Sequence, residues 1–158
     1  LEMCCNINIK VKRLHTDAVL PKGLTSFPLP GHFFDMVGFR SEDGVVYLAD
    51  CLSSKETLEK YQIGVIYDVG AYLDTLEQVK QLSATWFVPA HAEATQDIAP
   101  LAQYNIDKTR EVAETILTFC AEPIGFEALL QKLFTAYGLT TFPNTYWLAA
   151  RCAPIWPG

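Results

Sequence analysis

The chain has 158 residues and a formal net charge of −6; half of its residues are hydrophobic and 19% are charged. This composition is typical of a folded globular domain and excludes an extended disordered chain. An acidic chain repels phosphate backbones, so we predict no nucleic-acid partner. We see neither a run of about 20 apolar residues nor a secretion signal, and we therefore expect no membrane partner.

The cysteine pattern favours a reducing compartment. The number of cysteines is odd, their spacing is irregular and no Cys-x-x-Cys pair occurs, which argues against a disulfide framework and against a cysteine zinc site. We therefore predict a cytoplasmic protein. The five cysteines are Cys4, Cys5, Cys51, Cys120 and Cys152.

The first half of the chain alternates short apolar runs with turns, which predicts strands. Residues 7–11 alternate apolar and polar positions, and two strand-like pieces flank the turn at residues 21–23. Apolar segments at 33–39 and 45–49 flank the hairpin turn that Asp43 and Gly44 indicate. The second of these segments is uniformly apolar, which is typical of a strand buried on both faces.

From residue 53 onward, apolar residues recur mainly at helical spacing. The predicted elements are helices after the serines at 53–54, over 73–82, over 99–120, over 125–137 and after Pro143, and a strand over 85–88. Strands and helices mix in the first part and helices dominate the second. We therefore predict an α/β domain over residues 3–96 and a helical tail over residues 97–158.

Three residues of metal-ligand type follow apolar strand-like runs. His32 lies in a Pro-Gly-His turn, Asp50 ends the most apolar run, and His91 ends the next one. Loops at one end of a sheet gather active-site residues, because the strands hold them rigidly. Histidine and carboxylate suit zinc, iron or manganese. Taken together the three residues predict a metal site, although each alone also fits a turn or a helix cap.

The three positions also lie in stretches that resemble a known family. The stretch LPGHFFDMVGF around His32 resembles the third metal-binding motif of metallo-β-lactamase-fold hydrolases. DGVVYLAD, which ends at Asp50, resembles the fourth motif, with Ala49 where the family usually has glycine. FVPAH, which ends at His91, resembles the fifth motif, with Ala90 in place of glycine.

The resemblance implies an α/β fold, namely the C-terminal half of an αββα sandwich, followed by a small helical appendage that covers the site. It also implies that His32 binds a first metal ion, that His91 binds a second and that Asp50 bridges the two. Two zinc ions, with iron or manganese as alternatives, would activate a water against a thioester, ester, lactone or amide. The expected partner is a small-molecule substrate.

The family's first metal motif, His-x-His-x-Asp-His, does not occur in the sequence. Three ligands cannot close two metal sites, so we expect a truncated fragment of a metal-dependent hydrolase, weakly active or inactive by itself. Half a sandwich would expose one face of its sheet. We therefore expect a homo-oligomer or pairing with the missing N-terminal half.

A second hypothesis is a non-catalytic assembly or binding module, in which the three ligands are remnants and the helical tail binds a partner. Four further residues are candidates for the wall of a pocket: Phe33, Asp35, Cys51 and Tyr67. The competing interpretation is core packing for Phe33 and Cys51, and a turn or cap for Asp35 and Tyr67. The sequence does not specify the substrate, because a fold does not fix function.

Overall fold

The computed structural model describes residues 20–139, and in this part of the chain four strands form one mixed sheet. The strand order is β1-β2-β3-β4; the first two pairs are antiparallel and the pair β3–β4 is parallel. The strands are β1 (Leu24–Pro28), β2 (Val37–Ser41), β3 (Val45–Ser53) and β4 (Trp86–His91). The strand predicted at residues 7–11 lies outside the described residues.

Helices occupy most of the remaining described chain. They are α1 (Lys55–Tyr61), α2 (Val69–Lys80), α3 (Ala99–Phe119) and α4 (Phe126–Tyr137). The helix predicted after Pro143 lies outside the described residues. Gly138 ends α4 in the left-handed conformation, as its sequence position predicts. None of the helices within residues 20–139 combines the length and the apolarity needed to cross a membrane.

Side-chain caps fix where two of these helices begin. Of the two serines at residues 53–54, Ser54 is the cap of α1, and its hydroxyl accepts a hydrogen bond from the Thr57 amide. Asp68 caps α2 by accepting from the Ala71 amide at 2.9 Å. Such caps satisfy amides that have no partner within the helix.

Strand β3 differs from its predicted form, because it does not end at Asp50 but continues to Ser53. Its pairing with β4 shifts register between Tyr47 and Ala49 and again between Ala49 and Ser53. The hydrophobicity of residues 45–49 predicted the first part of the strand. The mixed polar and apolar residues that follow carried no clear strand signal, although backbone pairing holds them in the sheet.

One hydrophobic core joins the sheet to two helices. Strand β3 contributes Val46, Leu48 and Leu52, which are fully buried, and Phe87 of β4 lies in the same cluster. Helix α2 adds Tyr72, Leu76 and Val79, and the start of α3 adds Ile98, Ala102 and Ile106. A second, smaller cluster forms around Leu130 and Leu133 of α4. The division of the chain at residues 96 and 97 stays a prediction.

Gly31 fixes the turn that carries His32. Its φ is +122°, and a Cβ atom at this position would lie 2.3 Å from the backbone of Tyr72. The Gly31 carbonyl accepts hydrogen bonds from the amides of Tyr67 and Asp68, at 2.9 and 3.0 Å. Glycine is therefore required here, because any side chain would push the turn away from α2.

Ala49 has a φ of +47°, and Gln62 is the other non-glycine residue with positive φ in the described part of the chain. A left-handed conformation costs an L-residue with a Cβ roughly 1–2 kcal/mol. Ala49 immediately precedes Asp50 and lies at the register shift between β3 and β4. The glycine expected by the family resemblance would adopt this conformation without that cost, whereas alanine adopts it under strain.

We therefore predict that Ala49→Gly stabilises the protein by about 0.5–1 kcal/mol, since relief of strain exceeds the added entropy of the unfolded chain. Ala90, the other alanine at an expected glycine position, is absent from the positive-φ residues of the described chain and lies exposed in β4. Ala90→Gly should therefore destabilise the protein by a similar amount. Urea unfolding measures both values, and equal effects of the two substitutions would contradict the strain assignment.

Candidate functional site

The parallel pairing of β3 and β4 brings Asp50 and His91 together. Parallel neighbours end at the same edge of a sheet, and here the Nε2 atom of His91 lies 3.4 Å from an Oδ1 oxygen of Asp50. The amide of Ser54 donates to the His91 carbonyl at 2.9 Å, which fixes the end of β4 against the end of β3. Backbone hydrogen bonds therefore hold the backbone segments that carry the two side chains next to each other.

The geometry of this pair fits two donors to a single zinc ion. Ligand bonds of about 2.0–2.1 Å in a tetrahedral arrangement place two donor atoms about 3.3–3.4 Å apart. The observed 3.4 Å matches that separation, and it exceeds the range of about 2.7–3.2 Å that is usual for a hydrogen bond from nitrogen to oxygen. The side chains of His91 and Asp50 are 59% and 44% exposed. A solvated ion pair of this kind contributes about 1 kcal/mol at most.

His32 lies on the same side of the molecule as Asp50. Both residues line one cavity of about 250 Å³ between the sheet edge and the helices. Within residues 20–139, however, no group of three or more His, Cys, Asp or Glu side chains is arranged to hold a metal ion. The structure thus brings Asp50 and His91 into contact distance and places His32 near Asp50, without joining all three in one cluster. The donors present fit a part of a metal site.

The four further pocket candidates lie in different environments. Phe33 and Tyr67 are exposed and pack edge to face, with ring centroids 5.3 Å apart. Phe34 joins them, with its ring centroid 5.2 Å from that of Tyr67. Asp35 is exposed, whereas Cys51 is fully buried in the core. Phe33 and Phe34 directly follow His32 in the chain, and Cys51 faces away from solvent.

Asn105 of α3 holds the end of β3 through side-chain hydrogen bonds, and the sequence analysis did not identify it. Its side-chain oxygen accepts from the Ser53 amide at 2.9 Å, and its nitrogen donates to the carbonyls of Ser53 and Leu101, both at 2.9 Å. The Tyr72 hydroxyl donates to the same oxygen at 3.3 Å, and burial raises the pKa of Tyr72, which keeps its proton in place. The sequence did contain one sign of this role, since Asn105 is a polar residue on the buried face of α3, four positions after Leu101.

The comparisons with known proteins bear on the fold. Neither a protein-family model nor a curated protein sequence matches the chain. Among solved structures, a metallo-β-lactamase family protein from Thermus thermophilus, TTHA1429, is 20% identical with a TM-score of 0.57 and covers 70% of this chain. The described residues have part of the metallo-β-lactamase fold. The α/β fold class expected from the three motifs is therefore confirmed.

The match concerns a part of the larger fold, since the chain spans 38% of the length of TTHA1429. A second solved structure, that of VMB-1, is 16% identical with a TM-score of 0.44, and the match covers 57% of this chain and 42% of VMB-1. At these identities the likeness concerns architecture alone, because unrelated functions share one fold.

We predict that Asn105→Ala destabilises the protein by about 2–3 kcal/mol, because the amide and the carbonyl of Ser53 lose their buried partners together. Tyr72→Phe removes only the longer hydrogen bond to Asn105 and should cost about 1 kcal/mol or less. Urea unfolding of the two variants beside the parent chain measures the difference. An Asn105→Ala variant as stable as the parent would show that water replaces these hydrogen bonds.

Cys51 should resist alkylation. Burial, and to a smaller extent the neighbouring Asp50 carboxylate, raise the pKa of its thiol to about 12. A shift of this size lowers the reactive thiolate fraction roughly a thousandfold near pH 8. Treatment of the folded protein with iodoacetamide, followed by peptide mass spectrometry, should find Cys120 modified, since it is exposed, and Cys51 modified only after unfolding in urea. Equal labelling in the folded protein would contradict the buried position of Cys51.

Proposed function

We propose that Asp50, His91 and His32 form part of the metal centre of a metal-dependent hydrolase. The whole protein would then hydrolyse a thioester, ester, lactone or amide. The donors that complete the centre would come from outside the described residues, from the same polypeptide or from a paired chain. The chain by itself would then bind metal weakly and show little or no turnover.

One observation carries the proposal, the 3.4 Å separation of Asp50 and His91 on the adjacent parallel strands β3 and β4, where the register between the strands shifts. A metal ion needs donors held in advance at this kind of spacing. The pair is solvent-exposed and so contributes little to folding stability. The strained Ala49 next to Asp50 also supports the proposal, because strained backbone tends to occur at functional sites.

Some of these residues would bind the metal ion, and others would hold the binding residues in position. Asp50 supplies a negative charge that a divalent cation neutralises, and the two histidines supply neutral nitrogen donors. Gly31 and the backbone bonds of its carbonyl hold the turn before His32 in place. When bound, zinc, iron or manganese would lower the pKa of a coordinated water toward neutrality and polarise a substrate carbonyl.

The location and partners belong to the same proposal. The cysteine pattern supports a cytoplasmic protein, and the cavity beside the site supports a small-molecule substrate. The alternative is an assembly module whose ligands are remnants. The exposed aromatic group Phe33, Phe34 and Tyr67 favours it, because clustered exposed aromatics are typical of contact surfaces.

Metal titration of the chain, first freed of metal with a chelator, tests the proposal. We expect calorimetry to find one Zn²⁺ per chain with micromolar or weaker affinity, because two or three protein donors leave the remaining positions to water. Asp50→Asn and His91→Gln should each weaken the affinity about tenfold or more, since even residues that only orient a ligand cost that much. Titration with Co²⁺ should give the absorption bands of a nitrogen and oxygen site.

A control variant separates the site from general charge effects. Asp74→Asn changes an exposed carboxylate of α2 and should keep the parent affinity. Undetectable binding at millimolar Zn²⁺, or unchanged binding in Asp50→Asn, would remove the metal assignment and leave the assembly alternative.

A further inference from the structure

The cavity beside Asp50 has a polar end and apolar walls. Its volume is about 250 Å³. The polar end is formed by His32, Asp50 and Ser53, and two of these residues, His32 and Asp50, are candidate metal donors. The walls come from the segment between α1 and α2, from α3 and from α4. Their side chains are mainly aliphatic, among them Ile63, Val65, Ile66, Val112, Ile116 and Leu133.

The walls offer little to a charged ligand. Lys108 lines the cavity, but its ammonium group already donates to Glu111 at 2.8 Å. Gln62 is also a lining residue, and its amide nitrogen donates to the Glu59 carbonyl at 2.6 Å. An apolar chain loses no hydrogen bonds along the aliphatic walls, whereas a charged group there would be desolvated away from the cationic lining residue, Lys108.

The size of the cavity limits its occupant. A cavity of about 150 Å³ accommodates benzene, so about 250 Å³ corresponds to roughly ten non-hydrogen atoms by simple scaling. Pockets for drug-sized ligands begin at about 300 Å³. A single medium-length aliphatic chain fits these limits, whereas a ligand the size of a steroid or of a longer peptide does not.

We propose that this cavity binds the straight aliphatic acyl chain of the substrate, with the acyl carbonyl at the end formed by His32 and Asp50. The assignment of the carbonyl to that end rests on the proposed hydrolase function. The binding of the chain rests on the cavity alone. The substrate class is then an ester, thioester or amide of a medium-chain acyl group.

Neutral fatty amides test the proposal without any metal. Butanamide, octanamide and tetradecanamide are titrated into the full chain, in the presence of a chelator, while methyl signals of isoleucine, leucine and valine are followed by NMR. We expect affinity to rise about fourfold per added methylene up to octanamide, as burial of apolar surface requires. Tetradecanamide should gain nothing further, because its chain exceeds the cavity. The shifted signals should belong to Ile63, Ile116 and Leu133.

A blocking variant and a matched control locate the binding. Ala113 is an exposed residue of α3 that lines the cavity, so Ala113→Trp should fill the space and weaken octanamide binding about tenfold or more. Thr118 is an exposed, uncharged residue of the same helix outside the cavity lining, and Thr118→Trp should bind as the parent does. Methyl shifts in the parent chain decide the question even where a tryptophan variant fails to fold.

The results separate this proposal from the metal proposal. Asp50→Asn should lose Zn²⁺ affinity and keep octanamide affinity, because the aliphatic walls are unchanged. Absence of octanamide binding, affinity independent of chain length, or shifts away from the cavity would each overturn the acyl-chain assignment. Length-dependent binding at the cavity together with a failed metal titration would support an acyl-binding site and refute the hydrolase function.

Discussion

The parallel pairing of β3 and β4 is the constraint on which the site depends. It requires a crossover between the strands, which α1 and α2 provide, and it places both strand ends at one edge of the sheet. Asp50 and His91 are distant in sequence and meet there at 3.4 Å. The packing of α2 against the sheet in the shared core holds the crossover in place. The donor geometry is thus a consequence of topology and does not depend on the weak attraction between the two exposed side chains.

The helices stabilise this edge through polar contacts that the core cannot supply. Asn105 satisfies both backbone groups of Ser53 and thereby connects the end of β3 to α3. On the other side, Thr75 of α2 donates to the Pro30 carbonyl at 2.7 Å, next to the glycine turn before His32. Buried hydrogen bonds of this kind are costly to break. They restrain the segments that carry Asp50 and His32 without contacting either side chain, and the site therefore rests on two helices as well as on the sheet.

Local sequence signals predicted the elements, and the motif resemblance predicted the fold. The apolar run at 45–49, the Asp-Gly hairpin and the helical spacing of Leu76 and Val79 depend on neighbours in sequence, so pattern and propensity were sufficient. The extension of β3 to Ser53 and the role of Asn105 depend on partners about fifty residues away, and no local pattern specifies such a partner. The sequence could not predict that His32 stays apart from the pair of Asp50 and His91 either. A position just after a strand does not determine how far a side chain lies from the others. The sequence thus predicted the candidate donors and left their relative arrangement open.

The candidate donors are exposed to water, and the cavity beside them is apolar; together these two features bear on how water would be excluded from the site. An active centre works best where water is excluded, because electrostatic interactions strengthen there. The pair of Asp50 and His91 stands in solvent, while the aliphatic walls begin directly beyond Asp50 and continue to α4. An acyl chain seated between these walls would remove water from one side of the pair, and the donors required to complete the metal shell would remove it from the other. The described residues therefore have the properties of one wall of an enclosed site, in which the candidate metal donors and the apolar cavity adjoin at Asp50.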